Sequence, residues 1–274
     1  MNPLPRYQSI ETPSKFYDTG SNPIRITISD GLLSSYVVKH NNGRTPCMKL
    51  LNELLAYYFL ELWQLKTPPA ALVDVNPASI LEVGTTRCQP GFFRVPCWGT
   101  HFIPGSTEFL RFFDQIQSYE REKFAAPFDL LRIILFDIWL SNEDRTSNNP
   151  NLLIVTNANG FEFWPIDHEA IFNTGNLARG LYPLTLNDSL LYHPALKKLL
   201  GNKLKDNKIL EELVVHAYLC IEKCEQNLEE ILKCVPEEWS INIQELGQLL
   251  TDRIFSNAWK RQLRTVFLSL VQEL

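Results

Sequence analysis

Two stretches decide how this chain is read: Asn142-Glu143-Asp144-Arg145-Thr146-Ser147-Asn148-Asn149-Pro150-Asn151, and downstream Pro165-Ile166-Asp167-His168-Glu169. The first follows directly on Phe128 to Leu140, a run that is apolar on nearly all sides. Such a run predicts a helix buried inside its domain, with the polar stretch as the loop that leaves it. Beyond the loop, Leu152 to Thr156 and Phe161 to Ile166 flank Asn157-Ala158-Asn159-Gly160, which predicts a short β-hairpin. Asp167 stands just past that hairpin.

A loop carboxylate, an amide a few residues on and a second carboxylate after a hairpin suit metal-assisted phosphoryl transfer. One Asp orients or deprotonates an acceptor hydroxyl, while Asn and the other Asp hold the magnesium that neutralises phosphate charge. Asp144 fits the first role and Asp167 the second. Protein kinases carry these groups as H-R-D-x-x-x-x-N and D-F-G, and Asp144 to Asn149 is the same five-residue step. The Phe-Gly of the second motif is replaced by His168-Glu169. Two residues compete for the metal amide. Spacing from Asp144 selects Asn149, whereas Asn151 directly precedes the strand Leu152-Leu153-Ile154. Strand register is the stricter constraint, because a loop absorbs extra residues cheaply, so Asn151 is preferred. A surface loop rich in Asn for turn geometry alone would read the same in isolation.

Upstream, Ile24 to Ile28 and Tyr36 to His40 read as strands joined by a turn at Asp30-Gly31. Lys39 closes the second strand. Pro46 then leads into a helical apolar run from about Cys47 to Leu65, where Glu53 lies among Leu50, Leu51, Leu54 and Leu55. A carboxylate in that setting calls for a partner, and Lys39 is the candidate. A strand lysine that holds the α- and β-phosphates, fixed by a helix glutamate, is again a kinase arrangement. A solvated lysine and a surface glutamate are the plain alternative. Before the first strand, the turn Gly20-Ser21-Asn22 could offer backbone N–H groups to phosphates, though with one glycine a simple turn would look identical. Pro68-Pro69 end the helix, Ala70 to Val75 reads as a strand, and Phe92 to Phe102 as extended chain. Thr107 is the expected N-cap of a helix beginning at Glu108-Phe109. Two or three amphipathic helices are expected from about Asn207 to Leu274.

With 274 residues, 45% hydrophobic and 21% charged, the chain is an ordinary globular one. A net charge of -5 argues against the broad basic field of non-specific nucleic-acid binding. The N-terminal run Met1-Asn2-Pro3-Leu4-Pro5-Arg6 has neither the apolar core of a signal peptide nor a glycine for myristoylation. Phe128 to Leu140 is too short and too charged to span a membrane. The six cysteines show no zinc spacing, and Cys220 and Cys224, one helical turn apart, read as buried thiols in a reducing cytoplasm.

Taken together, Gly20-Ser21, Tyr36-Val37-Val38-Lys39, Asn52-Glu53, Phe136-Asp137-Ile138-Trp139, Asn142-Glu143-Asp144-Arg145, Asn149-Pro150-Asn151-Leu152-Leu153 and Ile166-Asp167-His168 resemble the HipA-like kinases. The resemblance runs from about Gly20 to Phe172. It implies an α+β, two-lobed protein-kinase-like fold, with a β-rich N-lobe over residues 1–103 and a mainly helical C-lobe over 104–274. It implies ATP and magnesium as cofactors, bound between the lobes, with His101, Phe102 and Ile103 in the hinge that reads adenine. It further implies transfer to a protein Ser/Thr hydroxyl, self-modification at a residue such as Ser21, and a toxin role with an antitoxin-type partner. A small-molecule phosphotransferase, a nucleotide-binding pseudokinase partner and a purely structural interaction protein are the alternatives. No membrane association or direct nucleic-acid binding is expected.

Overall fold

Ile24, Ile26 and Val38 lie on the inward positions of two paired strands, and each is fully buried. Their period of two is the pattern from which a one-faced sheet is built. The computed structural model describes residues 1–81 and 88–274, and the chain divides into two compact units. The first comprises residues 1–58, 68–104 and 229–243; the second comprises 59–67, 105–228 and 244–274.

The first unit is a six-stranded sheet in the order β1-β5-β6-β4-β3-β2, with strands β1 (Arg6–Gln8), β2 (Lys15–Phe16), β3 (Ile24–Thr27), β4 (Ser35–Lys39), β5 (Ala70–Asp74) and β6 (Cys97–His101). β1 and β5 run parallel and the other neighbours antiparallel. The β3–β4 turn is held by Asp30, whose carboxylate accepts from the N–H groups of Leu32 and Ser34 at 2.9 and 3.2 Å. Helix α1 (Met48–Leu62) buries Leu50, Leu51, Leu54 and Leu55. It stops where Gln64 turns left-handed at φ 56°, with Leu65 N–H closing back on Leu60 O at 3.0 Å, a C-terminal cap of the Schellman type. The extended reading of Phe92 to Phe102 holds only for its second half. Pro90–Phe93 form a 3-10 turn, because Pro90-Gly91 bend the chain and Phe92 N–H bonds Gln89 O at 2.9 Å. A short helix α2 (Pro77–Leu81) follows β5.

Residues 229–243 complete this unit. Trp239 is fully buried, its indole N–H donates to Pro96 O at 2.7 Å, and its own carbonyl accepts from Cys47 N–H at 3.0 Å.

The second unit opens with β7 (Thr107–Glu108) and α3 (Phe109–Gln115). Thr107 does not cap that helix. It pairs with Ile154 in a sheet of order β7-β8-β9, and Glu108 takes the N-cap position without a side-chain bond. Cross-strand pairing outcompeted the local cap. Helix α4 (Asp129–Leu140) is buried from Leu130 to Leu140 except at Arg132 and ends at left-handed Ser141, φ 48°. β8 (Leu152–Asn157) and β9 (Gly160–Pro165) form the expected hairpin, with Phe163 and Phe124 stacked at 4.7 Å beneath it. After a turn, α5 (Ile171–Gly175), and α6 (Pro194–Leu200), the chain continues as α7 (Asn207–Gln226), α8 (Leu228–Leu232), α9 (Ile243–Asp252) and α10 (Asn257–Gln272). These exceed the two or three helices expected, because Asn227 and Pro236 interrupt the apolar periodicity. α7 and α10 pack on α4, and Trp259 donates its indole N–H to Trp139 O at 2.8 Å. Cys220 and Cys224 both lie on the buried face of α7. Among the described residues no helix is long and apolar enough to cross a membrane.

Candidate active site

In the first unit, Lys39 ends β4 and Glu53 lies in the second turn of α1. The two meet as a buried ion pair between Lys39 Nζ and Glu53 Oε1, with 9% and 4% of each residue exposed. A buried charge that lost its partner would be strongly destabilising, so the pair holds the ammonium in one place. The turn Gly20-Ser21-Asn22 precedes β3, with Asn22 left-handed at φ 46° and its N–H bonded to Thr19 O at 3.0 Å. A Cβ built on Gly20 meets nothing within 4 Å, so the backbone there faces open space. Ser21, by contrast, is buried at 5% exposure.

His40, next to the lysine, went unassigned in the sequence reading. It is 2% exposed, its Nδ1 accepts from Asn42 N–H at 3.2 Å, and it hydrogen-bonds the backbone of Asn22. Burial pushes its pKa down to about 4, so the ring stays neutral near pH 7. His40 therefore ties the turn to the lysine strand. In the expected hinge, His101 pairs with Tyr36 across the sheet. The N–H groups of His101 and Phe102 are used within the unit, donating to Pro69 O and Ser35 O at 2.8 Å each. Ile103 follows directly.

In the second unit, the loop between α4 and β8 and the end of β9 converge. Asn151 Nδ2 donates to Asp144 Oδ2 at 3.0 Å. Ile166 N–H bonds Asn151 O at 3.0 Å, which extends the β8–β9 pairing by one rung and sets Asp167 immediately beyond it. Asn149, itself exposed, sends its amide to the backbone carbonyl of Asp144 at 3.2 Å, bracing the loop, and its side chain also bonds the Asp144 carboxylate. Burial pushes the Asp144 carboxyl above the usual carboxylate range, hydrogen bonds from Asn149 and Asn151 pull it back, and the nearby Asp167 charge adds to the rise. Asn151 and Asp167 both adopt left-handed backbone, φ 45° and 60°. Asn and Asp tolerate that region best among residues with a side chain.

The centre of this arrangement is Arg145, a fully buried side chain. Its Nη1 donates to Pro150 O at 3.1 Å, to Ile166 O at 3.2 Å and to Asn151 O. Its Nε pairs with Asp137 Oδ2 at 2.9 Å, and its Nη2 lies 2.8 Å from His168 Nε2. A guanidinium only donates, so that ring nitrogen accepts. Asn142 Nδ2 donates to the other Asp137 oxygen at 2.9 Å. Burial pushes the Asp137 carboxyl up, while Arg145 and Asn142 pull it back. One side chain thus grips the end of the loop and the end of β9 together.

A sequence model of the HipA-like kinases matches residues 18–267. The chain belongs to the HipA-like kinase family. Its fold is shared with a solved kinase, the Helicobacter pylori proinflammatory kinase CtkA, at TM-score 0.54 and 14% identity over 99% of both chains. A chain of the Shewanella oneidensis MR-1 HipA, HipB and operator DNA complex aligns at TM-score 0.45 and 14% identity, over 94% of this chain and 62% of that one. No curated protein matches the sequence. A mixed α+β kinase-like fold and membership of the phosphotransferases follow.

The motifs that carry the HipA-like resemblance contain Asp137, Arg145 and His168, but the supporting roles of these residues and of His40 emerge only from the fold. One signal was present. Asp137 lies in the same kind of apolar helix as Glu53, and the argument that found a partner for Glu53 applied equally to it.

Proposed function

We propose that this HipA-like kinase transfers the γ-phosphate of ATP, with magnesium, to a protein Ser or Thr hydroxyl. The observation that carries the reading is the Asp144–Asn151 contact at 3.0 Å, with Asp167 set by the adjoining strand pair. The residues fit magnesium, which takes oxygen ligands and few protein side chains: Asp167 offers a carboxylate and Asn151 an amide oxygen, its nitrogen being committed to Asp144. Bound there, the ion would neutralise charge on the transferring phosphate. Asp144, held in place by Asn151 and Asn149, orients the acceptor hydroxyl and takes its proton. Lys39, fixed by Glu53, holds phosphate oxygens, and the open backbone at Gly20 lets phosphates approach. Protein Ser/Thr as acceptor rests on family membership, which also brings a toxin role and an antitoxin-type partner. Self-modification at Ser21 requires its turn to open, because the residue is buried.

The test is incubation with magnesium and γ-labelled ATP, with and without candidate acceptor proteins. Label should enter protein, and Asp144→Ala should lower transfer about 10²-fold or more while calorimetry shows ATP binding retained. Asp167→Ala should lose magnesium-dependent binding as well. Near-native transfer by Asp144→Ala, or label entering only a small-molecule acceptor, overturns the reading.

A further inference from the structure

Glu143, beside Asp144, has no part in the chemistry above, yet it gathers the chain that follows Asp167. Its carboxylate accepts from Tyr182 Oη at 3.0 Å, from Asn173 Nδ2 at 3.5 Å and from Thr174 Oγ1. The neighbouring Ser141 holds two of the same places through its own atoms. Its carbonyl accepts from Asn173 N–H at 3.0 Å, and its hydroxyl donates to Tyr182 O at 3.2 Å. Asn173 Oδ1 closes the ring by accepting from Tyr182 N–H at 3.0 Å.

The backbone shows that this attachment works against a cost. Phe172, Asn173 and Thr174 are successively left-handed, with φ of 62°, 47° and 54°. That region is unfavourable for any residue with a side chain, and a run of three persists only where its surroundings over-determine it. Phe172 and Asn173 are buried, at 2% and 0% exposure, and Thr174 is exposed with Glu143 as its anchor. Tyr182 is 51% exposed.

We propose that Glu143 is a positioning residue for the acceptor reaction: its carboxylate, next in the chain to Asp144, clasps the uncharged hydroxyls of Thr174 and Tyr182 and so orders residues 171–182. The sign of the clasp matters. A carboxylate accepts from a hydroxyl but repels an anion, so the segment is ordered without phosphorylation, and negative charge at either hydroxyl opens it. This rests on the kinase reading, because positioning is defined by the acceptor reaction.

Two measurements on the full chain separate the clasp from that reading. Amide hydrogen exchange should be at least about tenfold faster over residues 171–182 in Glu143→Gln, Tyr182→Phe and Thr174→Glu than in wild type. Steady-state transfer should show kcat/KM for the acceptor falling about tenfold in Glu143→Gln, with the ATP dissociation constant unchanged. Glu143→Gln/Tyr182→Phe should lose no more than Glu143→Gln alone, since both break one clasp. Tyr182 is exposed, so Tyr182→Phe will fold even if a Glu143 variant does not. Unchanged exchange in Tyr182→Phe, faster exchange with unchanged acceptor kinetics, or additive losses would each overturn the proposal. Absence of transfer by wild type would overturn the kinase reading, while exchange still reports on the clasp.

Discussion

Asn151 and Asn149 are two residues apart and do different work. Both side chains bond the Asp144 carboxylate, but Asn151 does so from the start of a strand, whereas Asn149 is exposed and also ties its amide to the backbone of the loop. Replacing Asn151 by Ala should raise the magnesium requirement at fixed ATP at least about tenfold and collapse turnover, while Asn149→Ala should change either by no more than about threefold. Asn151→Gly keeps the left-handed backbone at no steric cost yet lacks the amide. It should fail like Asn151→Ala, and recovery of turnover in Asn151→Gly would reduce the Asn151 effect to backbone strain. His40 makes a second prediction. Its folded pKa of about 4 lies below the unfolded value near 6.5, so the unfolded state binds more protons between those limits. The stability His40 contributes is therefore complete above pH 6.5 and is lost as pH falls toward 4, by roughly 3 kcal/mol in all. Melting curves of wild type and His40→Gln should converge over that interval, and parallel curves would show that His40 is not the titrating group. Lys39, Glu53, Asp144 and Asp167 stood out in the sequence through their order along the chain and, for Glu53, through a carboxylate set in an apolar helix. The role of Arg145 did not, since its five contacts come from segments that only folding brings together.

At the scale of elements, the hairpin β8–β9 sets where Asp167 lands, and its turn leaves no room for change. Gly160 has φ 118°, and a Cβ there would sit 1.9 Å from the carbonyl oxygen of Lys123. Gly160→Ala should cost about 1–3 kcal/mol, a fall in Tm of several degrees, and should lower transfer by shifting the strand end. An unchanged Tm would mean the turn relaxes freely. Gly20 is the opposite case. A Cβ there meets nothing, so Gly20→Ala should leave Tm unchanged and weaken ATP binding, by calorimetry, about tenfold if phosphates lie over the turn. Equal ATP affinity would remove the turn from the site. Strands β3, β4 and β5, helices α1 and α4 and the hairpin were readable because period and burial agree locally. The errors at Thr107 and at Phe92 to Pro96 have one cause: short segments follow whichever partner the fold supplies, a strand for Thr107 and a proline-led turn for the other.

For the molecule as a whole, the unit that carries Lys39 is finished by chain from far downstream. Trp239 fills its core and bonds Pro96 and Cys47, while Glu238 pairs with Arg6 at 2.8 Å. Trp239→Ala should therefore cost about 3–5 kcal/mol, as large-to-small changes at buried aromatics do. A thermal melt that hardly moves would show the segment 229–243 to be dispensable. Nothing in the local pattern around Trp239 announces its destination. The sequence by itself determined the fold class and the candidate chemistry of this protein, because periodicity, turn residues and misplaced charges are local properties of the chain. Only the tertiary structure decided that Arg145 binds the loop to the strand, that Asn151 at the strand's start meets the Asp144 carboxylate, and that Glu143 gathers Thr174 and Tyr182. Those are contacts between groups that the fold, not the spacing, brings together. A hydrogen bond acts over about 3 Å, and no spacing in sequence states which distant atoms come within that reach.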